Sequence, residues 1–192
     1  MLDWDTLPAR VEAVIAERIG RLPGPLQDIL RVASVEGEAF TAEVVAQAMH
    51  QQDVIPFLSG ELDRRHRLVR AQGIEQTAAG RLSCYRFRHI LFQKYLHESL
   101  DKVERIHLHK AVGAELEALY WEQTEEVAVQ LARHFQTAEL TIKAIHYLHQ
   151  AGKRATRLSA YEEAIVHLNK GCLLYTSPSP RTVLDLVCRL LL

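Results

Sequence analysis

The sequence predicts a mainly α-helical chain with one short β-hairpin, passing into helical-repeat packing toward its C-terminus. Three observations carry this reading. Proline stands at positions 8, 23, 25 and 56 and then not again until 178, and a proline-free run suits helices because proline removes a backbone donor and clashes one turn back. Between Leu68 and Arg88 the apolar period shortens to that of strands. Finally, Ala144-Ile145-x-x-Leu148-x-x-Ala151 recurs twenty residues later as Ala164-Ile165-x-x-Leu168-x-x-Gly171. Small residues one turn apart let neighbouring helices approach closely while Ile and Leu fill the gap, and one helix plus one turn is the repeat of a helical solenoid.

Val11, Val14, Ile15 and Ile19 follow helical spacing, so residues 9–21 form an amphipathic helix, broken by Leu22-Pro23-Gly24-Pro25. A second helix carries Leu26, Ile29, Leu30 and Ala33 and ends near Gly37. Thr41 is placed to N-cap a third, with Phe40 and Val45 as a hydrophobic staple. Asp53 caps a fourth, whose first turn tolerates Pro56 and whose Ile55, Leu58 and Leu62 share a face. Leu68 to Ala71 reads as a strand. Leu82 to Arg88 alternates, with Ser83, Tyr85 and Phe87 on one face and Cys84, Arg86 and Arg88 on the other; Gly73 and Gly80 bracket the intervening loop. Short helices followed by a hairpin are the layout of a winged helix. A lone hairpin is marginal in water, so this one must lie against the helices.

From His89 the helical period returns. Leu91, Phe92, Tyr95 and Leu96 make one stripe; Asp101 with Glu104 resembles a helix start, and Leu108, Val112, Leu116 and Leu119 continue the apolar face. Thr124 is placed to cap a helix bearing Ala128, Leu131, Ala132 and Phe135, and Ser159-x-x-Glu162 reads as a capping box.

Composition narrows the function classes. Hydrophobic residues make up 48% of 192 residues, enough for a buried core. Lys+Arg total 23 against 24 for Asp+Glu, a net charge of -1, which argues against wholesale coating of nucleic acid. Cys84, Cys172 and Cys188 form no CxxC pair, so neither a disulfide framework nor a thiolate zinc site is indicated, and a reducing cytoplasm is expected. The acidic opening MLDWDTLPARVEAVIAERIG lacks the basic start and apolar run of a signal peptide, and no stretch reaches the roughly 18 apolar residues of a membrane span.

Leu131-Ala132-x-x-Phe135, Ala144-Ile145-x-x-Leu148-x-x-Ala151-Gly152-x-x-Ala155 and Ala160-Tyr161-x-x-Ala164-Ile165-x-x-Leu168 resemble tetratricopeptide helices. Together with Ile19-x-Arg21-Leu22-Pro23, Ala33-Ser34-Val35-x-Gly37, Phe40, Leu68-Val69 and Tyr85-x-Phe87-Arg88-His89-x-Leu91, they resemble the region following the ATPase module in bacterial STAND-class signal-transduction ATPases, among them LuxR-type regulators and ATPase-linked adenylate or guanylate cyclases. The resemblance spans roughly residues 8–171. It implies a remnant lid helix over 1–21, a winged-helix-like module over 22–88 and a helical, tetratricopeptide-like segment over 89–172. Residues 173–192, around Thr176-Ser177-Pro178-Ser179-Pro180-Arg181, are similar to a tail found on unrelated translated environmental fragments and are expected to be non-native.

No G-x-x-x-x-G-K-[ST] is present, so neither a cofactor nor catalysis is expected of this segment, while ATP or ADP would bind the parent's ATPase part. Partners implied by the resemblance are that ATPase domain, in the same parent chain, and a protein on the helical repeats. It also implies that His89, at a strand-to-helix junction and assisted by Arg88, contacts a nucleotide phosphate in the parent, although Ile90 stands where the eukaryotic motif has an aspartate. The plainer reading is that His89 caps the helix. Arg64, Arg65 and Arg67 end the helix that enters the major groove in DNA-binding winged helices; Asp53, Glu61 and Asp63 on the same helix make a solvated face or domain contact the stronger expectation. Ten histidines raise a metal site, but His107 and His109 point apart on a helix, His146 and His149 lack a third ligand, and no H-E-x-x-H occurs. Cys84, in an alternating strand, is expected to be packed or edge-exposed, not activated.

Overall fold

A computed structural model of the chain describes residues 9–77 and 80–176. Of the tail expected to be non-native, residues 173–176 continue the last described helix and 177–192 lie outside the described residues, as do the first eight residues of the expected lid segment. The chain divides between Gln123 and Thr124 into two compact units.

The first unit opens with α1 (Ala9–Gly20) and α2 (Gly24–Glu36), separated where expected, with Pro25 in the first turn of α2 and Gly37 as its C-cap. Ile15 and Ile19 are buried, whereas Val14 is exposed. A short strand β1 (Ala39–Thr41) then precedes α3 (Ala42–Ala48). A π-helix covers Phe57–Arg65, followed by β2 (Val69–Thr77) and β3 (Gly80–Phe87). The sheet is antiparallel, in the order β1-β3-β2. Helices α4 (Ile90–Glu98) and α5 (Lys102–Leu119) follow, and a 3₁₀ turn (Trp121–Gln123) closes the unit.

Several sequence expectations need correcting here. The hairpin is part of a three-stranded sheet, because β1 pairs with β3 from Ala39 opposite Arg86 to Thr41 opposite Cys84. Three residues are too few to show a period. Thr41 does sit at the N-cap of α3, but its side chain makes no cap bond; instead its Oγ1 donates to Glu36 Oε1 at 2.9 Å, and its backbone N–H donates to the same oxygen at 3.0 Å. Gly73 does not bracket a loop. It lies inside β2 at φ 148°, where Ala71 pairs with Tyr85 and Gly73 with Cys84, leaving Gln72 as the extra residue of a β-bulge. On β3, Tyr85 and Phe87 are buried and Ser83 of the same expected face is not, while Leu82 is buried too. Ile55 is 37% exposed and departs from the face of the fully buried Leu58 and Leu62. Asp53 does not hold the N-cap of the π-helix, which is Pro56 without a side-chain bond; its Oδ1 accepts from the Ile55 N–H at 2.8 Å, ahead of the π-helix.

The core of this unit brings Phe40 from β1 against Tyr85 and Phe87 of β3, ring centroids 6.0 and 5.3 Å apart. Around them Leu30, Val44, Val45, Leu58, Leu62, Leu68 and Val69 lose all contact with solvent. Helices α4 and α5 pack on α2, and α5 also packs on α3. Gln93 Nε2 on α4 donates to the Ser34 carbonyl of α2 at 2.7 Å. The unit therefore runs well past the boundary expected at residue 88, and the helices of 89–123 belong with the sheet-bearing module. Asp101 caps α5 as expected, accepting from the Glu104 N–H at 2.8 Å.

The second unit holds α6 (Ala128–Thr137), α7 (Thr141–Arg157) and α8 (Tyr161–Thr176). Consecutive helices pack side by side, α6 on α7 and α7 on α8. Ala144, Ala151 and Ala164 are buried, and Gly171 is too, so the small residues of the repeat do line the contact. Phe135 and Tyr147 stack at 5.6 Å between α6 and α7. Thr124 does not cap α6, whose N-cap is Val127 without a side-chain bond; Thr124 Oγ1 accepts from Gln150 Nε2 at 3.3 Å instead. Ser159 is not the start of a capping box. It lies in the left-handed region at φ 61° and ends α7, its N–H donating to the Thr156 carbonyl while Ala160 N–H donates to the Ala155 carbonyl, which is the Schellman closure.

Candidate functional site

The junction of β3 and α4 is built from local backbone preference upward. Residue 87 ends the strand, and His89 is still extended at φ −144°, ψ 133° when α4 begins at Ile90. A residue in that conformation turns its side chain back over the first helical turn, and His89 Nδ1 accepts from the Leu91 N–H at 3.2 Å. The same ring is exposed to solvent. An Nδ1 that accepts leaves Nε2 as the ring's outward-facing nitrogen.

Arg88 points elsewhere. Its Nη2 donates to Asp63 Oδ1 at 2.6 Å and its Nε to the Val69 carbonyl at 2.9 Å. The guanidinium so bridges the π-helix and the first residue of β2. Both partners are partly exposed, with side-chain accessibilities of 41% for Arg88 and 23% for Asp63; the pair is worth about 0.5–1 kcal/mol after solvent screening. Its geometric effect is larger than its energy, since it fixes two elements 25 residues apart in sequence.

The arginines after it are dispersed. Arg65 pairs with Glu61 at 3.1 Å across one helical turn. Arg64 and Arg67 are exposed, and Arg67 occupies the left-handed region at φ 53°, just past the π-helix. Across the sheet Arg86 pairs with Glu38 at 2.6 Å. The structure thus brings Arg88 to Asp63, the chain neighbour of Arg64. No group of three or more potential metal-ligating side chains occurs among the described residues.

Cys84 on β3 is half-buried. Burial first, and the neighbouring Glu75 carboxylate second, push its thiol above the usual range. Such a thiol carries little thiolate at neutral pH and is a poor nucleophile. Sequence reading missed a different pair: His97 on α4 and His109 on α5 meet Nε2 to Nε2 at 3.1 Å, with rings perpendicular. His109 is buried while His107 is exposed, as their spacing on a helix requires. Nothing in the linear pattern points to His97 as the partner, because the two are joined by a helix–helix turn.

In the second unit a depression of about 280 Å³ is lined by Ile145, His149, Leu168, Gly171, Cys172 and Tyr175. Its wall is almost wholly apolar. α7 and α8 pack closely at Gly152, where an added Cβ would stand 2.7 Å from Leu168 Cγ. On α8, Tyr161 and Ile165 are exposed at four-residue spacing, and Leu168, which lies against Gly152, keeps part of its surface open. That is a packing face in search of cover, without convergent polar groups.

The fold and these sites define a mainly helical chain with a small three-stranded antiparallel sheet, in which none of the described helices is long and apolar enough to cross a membrane. Comparison with protein-family models, curated proteins and solved structures gives no match to the chain.

Proposed function

We propose that this chain is a non-catalytic, cytoplasmic regulatory segment of a multidomain STAND-class signalling ATPase, coupling nucleotide state to an effector such as a cyclase or a transcription regulator. In this reading residues 22–88 are a winged-helix module: α2, β1, α3, the π-helix and the β2–β3 hairpin follow one another in that order, with β1 closing on β3. α6 to α8 are tetratricopeptide-like helices whose small-residue seam at Ala144, Ala151, Ala164 and Gly171 supports close nesting. α1 is the last helix of the ATPase lid. ATP or ADP binds the ATPase domain of the parent, which is the first partner; a second protein docks on the helical repeats. His89 faces solvent beside the module and contacts a nucleotide phosphate when the ATPase is closed upon it.

The observation that carries this reading is how the module's arginines are used. Arg65, Arg86 and Arg88 each pair with a carboxylate of the same unit, so the surface that a DNA-binding relative keeps basic is here partly neutralised. The rival reading, a winged-helix DNA-binding regulator, has in its favour the exposed Arg64 and Arg67. Titrating the chain with a fluorescent duplex DNA at about 50 and 200 mM salt separates the two. The regulatory reading expects no saturable binding at either salt. Binding that weakens steeply with salt, and is lost on replacing Arg64 and Arg67 by Ala, establishes the rival. In the parent, His89→Ala is expected to weaken ADP retention; unchanged retention removes His89 from the phosphate site.

A further inference from the structure

A π-helix is rare, and runs of this bonding are held open only where the surrounding structure over-determines them. Over Phe57–Arg65 the entry is α-like, Leu58 N–H donating to the Val54 carbonyl at 3.0 Å, while the exit is wide, His66 N–H donating to the Glu61 carbonyl at 2.8 Å. Four ties hold it from outside. Leu58 and Leu62 are fully buried. Ser59 Oγ and Tyr85 OH share a hydrogen bond of 2.6 Å, and Asp63 is bonded to Arg88. The last tie comes from α1: Arg18 Nη2 donates to the His66 carbonyl at 2.6 Å.

That last contact differs in kind from the others. The His66 carbonyl sits at the C-terminal end of the helix, where the backbone dipole is negative and a cation is favoured. The guanidinium that supplies it also lies over the Phe92 ring of α4, 5.2 Å from its centroid. One side chain on α1 therefore touches the exit of the π-helix and the face of α4. Hydrogen bonds of the other ties arise within the sheet-bearing core; this one depends on where α1 is.

The geometry points to Arg18 as a latch that couples the position of α1 to the register of the π-helix. With α1 seated on α4, the guanidinium holds the His66 carbonyl and so the residue whose N–H makes the wide bond. When α1 moves away, the exit turn tightens from i→i−5 toward i→i−4 bonding, which turns the residues beyond it by about 100°, one residue's worth. Arg67 is the exposed residue so turned, and it presents a different surface in the two states. What would pull α1, namely the lid of an attached ATPase, rests on the reading given above; the latch itself does not.

Amide hydrogen exchange on the full chain tests it. Arg18→Ala is expected to speed exchange at the His66 and Leu68 amides about threefold to tenfold, the size of one partly solvated charge-assisted hydrogen bond. Arg18→Lys, which keeps the cation but not the planar donor fork, should fall between. Phe92→Leu, which removes the ring beneath the guanidinium and retains apolar volume, should reproduce a part of the effect. Exchange in β3 and in α7 should stay as in the parent sequence. The latch is overturned if His66 and Leu68 exchange at the parent rate in Arg18→Ala, or if exchange rises evenly across the first unit, which marks a purely structural residue. Salt-sensitive DNA binding would sink the functional reading and leave the latch standing, whereas unchanged exchange sinks the latch alone.

Discussion

At the scale of single residues, backbone conformation decides more than side-chain type. His50, Arg67, Glu139 and Ser159 all lie at φ between 53° and 61°, each just past a helix end. For His50, Glu139 and Ser159 the Schellman pair of bonds is complete, as in Gln51 N–H to the Ala46 carbonyl and Leu140 N–H to the Phe135 carbonyl. The left-handed region costs a non-glycine residue on the order of 1 kcal/mol. Replacing Arg67 by Gly should therefore raise the stability of the first unit by about 0.5–1 kcal/mol in urea unfolding, and Ser159→Gly should do the same for the second. If Arg67 makes an essential contact in the fold, its loss will instead destabilise.

Cys84 offers a residue-scale prediction with a definite sign. Its pKa is raised, by burial and then by Glu75, so at pH 8 the reactive thiolate is scarcer than for a free thiol. Glu75→Gln removes the second cause, lowers the pKa and increases the thiolate fraction. Alkylation of Cys84 by iodoacetamide, followed by peptide mass spectrometry, should run about two- to fivefold faster at pH 8. An unchanged rate would show that burial alone sets the reactivity.

At the scale of elements, the α7–α8 contact leaves no room for a side chain at Gly152. A Cβ at Gly152 meets Leu168 Cγ and Cδ2 at 2.7 and 2.8 Å. Leu168 is 38% exposed, so its side chain has room to swing outward, and Gly152→Ala gains helix propensity as it loses fit. Gly152→Val admits no such compromise and should cost about 2–3 kcal/mol in chemical unfolding. Adding Leu168→Ala should return a good part of that loss, because the two positions share one space. At the start of α5, Asp101→Ala should cost about 1 kcal/mol by exposing the Glu104 N–H it now satisfies.

At the scale of the whole molecule, the division between Gln123 and Thr124 makes a statement about cooperativity. The second unit's described part is three helices, a size at which a hydrophobic core is marginal. Calorimetry should resolve two transitions. Leu62→Ala, in a fully buried site of the first unit, should lower one by the equivalent of about 2–5 kcal/mol, while Leu131→Ala, equally buried in the second, lowers the other. A single transition moved by both would show that the units unfold together.

Helices, their order and the placement of the hairpin were legible from the sequence because each depends on neighbours within a turn or two. The period of Ile15 and Ile19, the Pro23-Gly24-Pro25 break, the Asp101 cap and the small-residue repeat are all local signals, and local signals survive without a fold. Strand β1 was not legible, because three residues carry no period and its partner β3 lies more than 40 positions on. Gly73 was readable as a special position but not as a bulge, since a bulge exists only relative to the strand opposite. Helix ends at His50, Glu139 and Ser159 escaped because their left-handed residues are not glycine, and the cost is met by hydrogen bonds that only a formed helix can offer. The candidate site divides the same way. That His89 would cap α4 followed from its place between strand and helix, but that Arg88 would turn to Asp63, Arg18 to His66, and His97 to His109 was decided by tertiary structure alone, because those pairs are assembled by packing across separate elements, where sequence distance is no guide to distance in space.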